Sequence, residues 1–503
     1  MSMEKISSYK SYTLQFGVQV LATWLTIFAA PPAMSQNETC PQGPSQHLNE
    51  NFPAKTLVLA TDQYPTSEIE KIITTLFKNN DMDRLPKIIL FGSPRNLFDQ
   101  LSSESQQKWN AKVSTISDQI TWAQDFFEGF INKDGKPFIR LVKGYKKGED
   151  HYQNYMKAQK DLSIALDQDG IGTDTLEPIN KKSNLYAKNG HKGGNIESTN
   201  EGFCLIGNSD LSESEWNDLA NQNCGGAENT IKLPTEWLPA NHVDELVKQL
   251  PRGEGARCQA NFAISSPKKA IEILRSNPEE LFFKPNLGSD STYMYDMSAL
   301  SSLCATILRN RGVSEQQLQS YVVPSQPNFS PISPKAGTTI FRMPFANEKN
   351  EDLYKMCFEL KNEDVLNLLS TAPQYTESLK ISQGKIELAK KIVVEFYKNK
   401  RPDCLVHFVE MPTLFLVDKA IYKQERKSIL SITSSAILPN PLNNLKINQD
   451  IFVPNSGNKS INQYVQATLS RFSLRTTFLD TFRLHVGGGN IHCSSQTIHS
   501  CSP

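Results

Sequence analysis

The stretch 487–497 reads Gly-Gly-Gly-Asn-Ile-His-Cys-Ser-Ser-Gln-Thr and sets one cysteine, Cys493, in a glycine-rich, turn-forming context just before the C-terminus. A thiol reacts only when its pKa is lowered or a proton acceptor stands beside it, and Cys493 has His492 next to it in sequence and other histidines elsewhere in the chain. Cys493 is the candidate nucleophile, although a cysteine in isolation reads more simply as structural. Two further clusters change that reading. Residues 122–128 are Trp-Ala-Gln-Asp-Phe-Phe-Glu, and residues 239–246 are Pro-Ala-Asn-His-Val-Asp-Glu-Leu. His242 and Asp244 are two apart, so on a regular strand both would project to one face. By the same alternation, His492 is expected to point away from Cys493 if that segment is extended. Taken singly, a His-x-Asp reads as surface or structural, Asp125 as a helix cap and Trp122 as core; the joint pattern points to an enzyme.

A chain of 503 residues holds roughly two to four average domains, or one large repetitive one. Its 53 basic and 53 acidic residues balance, which gives no basic field for nucleic acid and no acidic tail. Residues 1–35 carry Lys5 and Lys10, an apolar run over 16–30 and then Pro31-Pro32-Ala33-Met34-Ser35. This is the pattern of a signal peptide cleaved before Gln36, with an uncleaved N-terminal anchor as the alternative. No later stretch is long and apolar enough to cross a bilayer, so a secreted or periplasmic protein is expected, with no membrane contact after cleavage. Nine cysteines are an odd count: if Cys493 stays a thiol, eight remain for up to four disulfides. A bridge from Cys501 to Cys493 would silence the site. Asn37, Asn328 and Asn458 begin glycosylation sequons, of consequence only in a eukaryotic host.

Organisation along the chain follows from periodicity and breakers. Residues 36–54 form a polar, loose or stapled leader, and the fold begins near Lys55. The spacing predicts a strand over 56–60, a helix after Ser67 with Ile69, Ile72, Ile73, Leu76 and Phe77 on one face, and a strand over 87–91. A strand-like run over 113–125 would leave Asp125 at a strand terminus. Residues 134–200 read as long surface loops with one helix. Strands are expected over 203–206, 262–265 and 404–409, and helices over 267–276, 384–398 and 461–472. The proline- and serine-rich run 321–338 marks an inserted loop or sub-domain border.

Trp-x-Gln-Asp-x-x-Glu at 122–128, His-Val-Asp-Glu at 242–245 and His-Cys at 492–493, in that order, resemble the protein-arginine deiminases of the guanidine-modifying superfamily. The Gly-Gly-Gly-x-Ile-His-Cys form is also similar to the agmatine deiminases. Gly193-Gly194-Asn195-Ile196-Glu197 resembles a Gly-Asn-Leu-Glu-like turn of the family, and 437–443 the Phe-Pro-Asn-like stretch upstream of its cysteine. The resemblance spans residues 55–497. It implies an α/β fold, the five-bladed pseudo-symmetric α/β propeller called the pentein fold, with the site in its centre and one catalytic domain over 55–503.

A guanidinium is planar, cationic and poorly electrophilic. Its hydrolysis calls for carboxylates to hold the charge and a soft nucleophile for the central carbon. The resemblance assigns Asp125 and Asp244 to the guanidinium N–H groups, in charge-assisted and partly bidentate pairs. It assigns Cys493 to the attack, His242 to proton transfer and Trp122 to the aliphatic stem of the substrate. It implies one calcium held by Gln124, Glu128 and Glu197 with carbonyls near Gly193 and Ile196, whereas Phe126 stands where a second site would need an acid. The implied activity converts peptidyl-arginine to peptidyl-citrulline and ammonia, with an arginine-containing protein or peptide as partner. The family's arginine for the peptide backbone has no clear counterpart: Thr121 occupies one position where it could stand, and Arg140 is a guess for the role. The alternatives are a deiminase of a small guanidine such as agmatine or free arginine, and a catalytically inactive binding scaffold, which a disulfide at Cys493 would support.

Overall fold

The strand Ala54–Ala60 (β2) and the strand Lys87–Phe91 (β3) run parallel, with Leu57 opposite Ile88 and Ala60 opposite Phe91. From Leu57 and Ile88 onward both are unbroken apolar, buried runs, as strands covered on both faces are. Parallel neighbours need a crossover, and the helix Thr66–Asn79 supplies it, burying Ile69, Ile72, Ile73, Leu76 and Phe77 as its spacing predicts. The computed structural model describes residues 46–61, 66–92, 97–118, 120, 122–132, 134–142, 152–175, 193–208, 211–252, 258–284, 298–314, 316, 359–423, 428–486 and 489–501. All of these belong to one compact unit, residues 40–503. The expected signal peptide, the first part of the leader, and the expected insertion at 321–338 lie outside the described residues.

Ahead of β2 is a short strand, Gln46–His47 (β1). After β3 come the strands Val113–Ile116 (β4), Phe127–Ile131 (β5), Pro137–Leu141 (β6), Gly172–Thr175 (β7), Ile196–Ser198 (β8), Cys204–Gly207 (β9) and Thr230–Leu233 (β10). Then follow Val247–Gln249 (β11), Gln259–Ser266 (β12), Leu405–Pro412 (β13), Phe415–Lys423 (β14), Ser428–Ala436 (β15), Leu445–Ile447 (β16), Asp450–Pro454 (β17), Arg475–Leu479 (β18) and Ser495–His499 (β19).

Pairing reveals a repeat that no sequence identity betrays. Among the described residues the same move occurs five times: a short strand, an antiparallel partner, a helical crossover, and a third strand parallel to the second. The five instances are β5-β6-β7, β8-β9-β10, β11-β12-β13, β16-β17-β18 and β19-β2-β3. Their crossovers contain, in order, the helices Tyr152–Asp167, Glu213–Cys224, Pro267–Ser276 with Pro373–Lys400, Lys459–Ser470 and Thr66–Asn79. The last unit joins the two ends of the chain, since β19 pairs antiparallel with β2. β4 extends that sheet, β1 lies against β5, and β14 with β15 form a separate hairpin.

Apolar clusters link one unit to the next. Val58, Ile89 and Phe91 pack with Phe127 and Ile139; Leu205, Ile231 and Leu233 pack with Val247, Phe262 and Ile264. Ala263 and Leu274 share a cluster with Ile451, Val453 and Ile461, and Phe452 and Leu445 share another with Leu57, Leu59 and Ile88. Between the β5 and β8 units the link is polar: the Arg140 guanidinium donates to Gln222 O (2.6 Å) and Asn223 Oδ1 (3.0 Å) on the helix Glu213–Cys224.

Several expectations need correction. The stretch 134–200 contains β6, β7 and β8 as well as a helix, with Phe138 and Arg140 alternating with buried Ile139 and Leu141. Asp125 does not close a strand: β4 ends at Ile116, and Asp125 sits in the turn just before β5. The leader is not loose from residue 46 onward. Leu48 and Phe52 pack with Ile131, while Asn49 and Asn51 both bond Asn200 Oδ1 at 2.8 and 2.9 Å. The sequon at Asn458 is unusable in the folded chain, because Asn458 is buried as a helix N-cap, accepting from Ile461 N and donating to Asn362 Oδ1.

Cys204 pairs with Cys224, Cys258 pairs with Cys404, and Cys304 and Cys501 are also disulfide-bonded. Cys493 is a free, buried thiol, so the bridge that would silence it is not made.

Candidate active site

In each repeated unit the first strand, or the turn or loop that leads into it, brings a side chain to one place. Gln124 precedes β5, Glu197 lies in β8, Asp244 precedes β11, Asn443 precedes β16, and His492 with Cys493 precede β19. His492 Nδ1 lies 2.7 Å from Asp244 Oδ2 and 2.9 Å from the Gln124 amide nitrogen, and its Nε2 is 3.8 Å from Glu197 Oε1. Asn443 Nδ2 donates to Cys493 Sγ at 3.1 Å and to Asp244 Oδ2 at 3.3 Å, while its Oδ1 accepts from the His492 backbone N–H at 3.1 Å. Five segments spread over residues 124–493 thus meet through direct polar contacts.

Local conformation explains how each arrives. Asn241 adopts a left-handed φ of 60°, which asparagine tolerates better than most residues, and this turns the chain into His242. Val243–Glu245 is one turn of 3-10 helix rather than a strand, so the His242 and Asp244 side chains reach the site from a turn and its cap. Around Cys493 the backbone is also a turn, with Ser494 N–H donating to Asn490 O (3.2 Å) and Ser495 N–H to His492 O (3.0 Å). Alternation therefore fails there, and His492 faces the site beside Cys493. This corrects the expectation from an extended segment.

One ligand-type atom each of His242, Asp244 and Cys493 falls within 4.8 Å of the others, and all three side chains are buried, Asp244 at 0 % and Cys493 at 5 % exposure. Cys493 Sγ is 4.0 Å from Asp244 Oδ2. That oxygen is taken up by His492 and Asn443; the other, Oδ1, is buried without a hydrogen-bond partner. In the free site Asp244 thus has Oδ2 bonded and Oδ1 unpartnered.

Trp122 is half-buried beside the nucleophile. A Cβ on Gly489 would sit 2.6 Å from the Trp122 ring and 3.0 Å from Cys493 Cβ, so only glycine fits between them. Asp125 shares the Trp122 turn and is half-buried, outside the His242–Asp244–Cys493 cluster. Arg140 is remote from the role suggested for it: besides its bonds to Gln222 and Asn223 it stacks over Phe130 and pairs with Asp174.

Burial, reinforced by the Asp244 charge, pushes the Cys493 thiol well above its usual range, with Asn443 pulling the other way. Burial and Lys248 work against charge on His492, yet Glu50 and Asp244 carry it up to about 9. Burial and the neighbouring Asp244 push Glu245 up to about 8, and burial raises Glu197 to about 7. At neutral pH the free site thus holds a protonated thiol beside an ionised His492.

Gly194 makes a further close approach. A Cβ there would fall inside contact distance of His242 Nδ1 and 3.0 Å from its Cγ and Cε1. Gly194→Ala adds no chemistry but forces the His242 ring to move. A displacement on the order of 1 Å at a reacting group costs roughly 100-fold, so a loss of that size in kcat is expected with the melting temperature little changed.

Sequence reasoning missed Glu50, Lys248 and His47 and gave Asn443 no role. Glu50 carries His492 on Oε1 (3.0 Å) and Lys248 on Oε2 (2.9 Å), and His47 Nε2 bonds Glu128 Oε2 at 2.8 Å. Three ionisable residues within 47–55, His47, Glu50 and Lys55, could not by themselves mark a leader as part of a site.

No protein-family model and no curated protein matches this chain. Among solved structures it is similar to the agmatine deiminase of C. jejuni, with 13% identity and a TM-score of 0.42 over 93% of this chain and 100% of that one. It is also similar to the agmatine deiminase of Enterococcus faecalis, with 13% identity and a TM-score of 0.41 over 91% of this chain and 96% of that one.

Proposed function

We propose that this chain is a cysteine-dependent guanidine deiminase, a hydrolase acting on the C–N bond of a guanidinium. The observation that carries the reading is the buried cluster of Cys493, His242 and Asp244, with one Asp244 oxygen left unpartnered. Asp244 accepts a guanidinium N–H through Oδ1, and Asp125 closes on the same group from the Trp122 turn. The incoming positive charge offsets the Asp244 field that keeps the thiol protonated, so substrate binding itself favours the Cys493 thiolate. The Cys493 thiol gives its proton to His242 and the thiolate adds to the guanidinium carbon; the C–N bond to one terminal nitrogen then breaks as His242 passes that proton to the nitrogen and ammonia leaves. Water then adds to the thiouronium carbon, losing its proton to His242, and the C–S bond breaks to give a ureide and a thiolate that takes the proton back from His242 as the thiol is restored. The five repeated units, linked by shared clusters and meeting at one site, support a five-bladed arrangement about a central channel.

Two substrate classes fit this chemistry. Peptidyl-arginine is supported by the joint 122–128, 242–245 and 492–493 motifs. A small guanidine such as agmatine or free arginine is supported by the depth of the site, where Cys493, His242 and Asp244 are all buried. The test is citrulline-type product from a blocked arginine peptide, agmatine and free arginine. Turnover of the peptide alone identifies a protein deiminase, turnover of a small guanidine alone identifies the other branch, and no turnover of any of them under conditions that keep Cys493 reduced counts against catalysis.

Calcium belongs to the proposal on the donor set. Gln124 Oε1, Glu128 Oε1 and Glu197 Oε1 are each buried without a hydrogen-bond partner, and Gly193 lets the backbone close on Glu128 and on Gln124 O. Three such oxygens suit a hard divalent cation, which when bound would supply positive charge among these carboxylates and fix the 122–128 turn. Calcium at a hundredfold excess over its Kd is expected to stabilise the chain by about 2.7 kcal/mol, read as a rise in melting temperature that chelator reverses and Glu197→Gln abolishes. An unchanged melting temperature would remove calcium from the account. The disulfides Cys204–Cys224 and Cys258–Cys404 support folding in an oxidising compartment, in keeping with export.

A further inference from the structure

The segment between β1 and β2 is anchored in the site by buried charge. Lys446 Nζ donates to the Glu50 backbone oxygen (2.5 Å), and Lys248 Nζ donates to Asn444 O (2.9 Å) while pairing with Glu50 Oε2 (2.9 Å). Glu50 Oε1 faces His492 Nε2 at 3.0 Å. The imidazole therefore stands between two carboxylates, Glu50 on Nε2 and Asp244 on Nδ1, and cannot turn without breaking one of these bonds. A third carboxylate waits 3.8 Å away in Glu197, so a ring released by Glu50 has somewhere else to go.

We propose that Glu50 is a positioning residue. It locks the His492 ring so that Nδ1 holds Asp244 Oδ2 and leaves Asp244 Oδ1 aimed at the guanidinium. This assignment rests on the guanidine reading of the site. Its physical content is that removing one partner of a buried pair leaves the other charges to rearrange, here His492 toward Glu197 and away from Asp244. The leader is then part of the active centre, not a tether in front of it. A structural role alone, in which Glu50 merely neutralises Lys248, makes a different prediction.

The test uses alkylation of Cys493 in the full chain, scored by intact mass, with cationic 2-chloroacetamidine and neutral 2-chloroacetamide, each rate normalised to free cysteine. The ratio of the two rates reports how well an amidinium is held beside the thiol, without any turnover. The wild-type ratio is expected to favour the amidine strongly. Glu50→Gln is expected to lower it about tenfold or more, the scale of a lost charge-assisted hydrogen bond. Because Glu50→Gln alone leaves Lys248 unpaired and can unfold the chain, Glu50→Gln combined with Lys248→Met is measured beside it. That pair is expected to regain thermal stability and not the ratio. Recovery of both, or an unchanged ratio in Glu50→Gln, would overturn the assignment. A wild-type ratio near one would remove the guanidinium reading itself, and the assignment with it.

Discussion

Cys493→Ala is expected to lose at least about 10⁴-fold in turnover of whichever guanidine the wild-type chain accepts, the scale seen when a covalent nucleophile is removed from a preorganised site. Among the described residues Cys493 is the free cysteine, and Cys204, Cys224, Cys258, Cys304, Cys404 and Cys501 are disulfide-bonded. No other described thiol is free to take its place. The fold should survive: the side chain is small, and its polar partner Asn443 keeps bonds to Asp244 and to the His492 backbone. Product formation and a thermal melt on the same sample check both halves, with the melting temperature moving by a few degrees at most. A Cys493→Ala chain that still forms product would show that the thiol is not the nucleophile.

Asp244→Asn has the second-largest expected effect, and its two readouts move in opposite directions. Turnover should fall about 10³-fold, because a preorganised charge facing the guanidinium is lost. The thiol should become more reactive toward a neutral alkylating agent at neutral pH. The sign follows from the causes acting on Cys493: burial raises its pKa first, and the Asp244 charge raises it further. An amide in place of the carboxylate removes the second cause, the pKa falls toward the ordinary thiol range, and the thiolate fraction at pH 7 rises. In the wild-type chain alkylation should accelerate only at pH values above that ordinary range. Rate against pH with iodoacetamide, for both chains, checks this. A wild-type thiol already titrating near neutral pH in the free chain would contradict the electrostatics described.

The sequence made the local elements legible where period and breakers agreed. The helix Thr66–Asn79 buries the five apolar residues its spacing picks out, and Pro267–Ser276 begins at the proline that marks an N-terminus. The three motifs were legible as chemistry, and His242, Asp244 and Cys493 do meet. The repeat was not, for a physical reason. β8, β11 and β16 are only three residues long, and one crossover spans everything from Pro267 to Lys400, so the five units share pairing but neither length nor side-chain pattern. His492 was misread because alternation holds only on an extended strand, and the turn at 490–494 abolishes it. Glu50 was illegible because its importance comes entirely from Lys248 and His492, which the chain reaches roughly 200 and 440 residues later.

The measurement that bears most directly on the central claim is the intact mass of the wild-type chain quenched during turnover of its best guanidine. An adduct equal to the substrate less ammonia is expected on the peptide that contains Cys493, and none in Cys493→Ala. Sustained product formation with Cys493 unmodified at every quench time, together with undiminished product from Cys493→Ala, would contradict it.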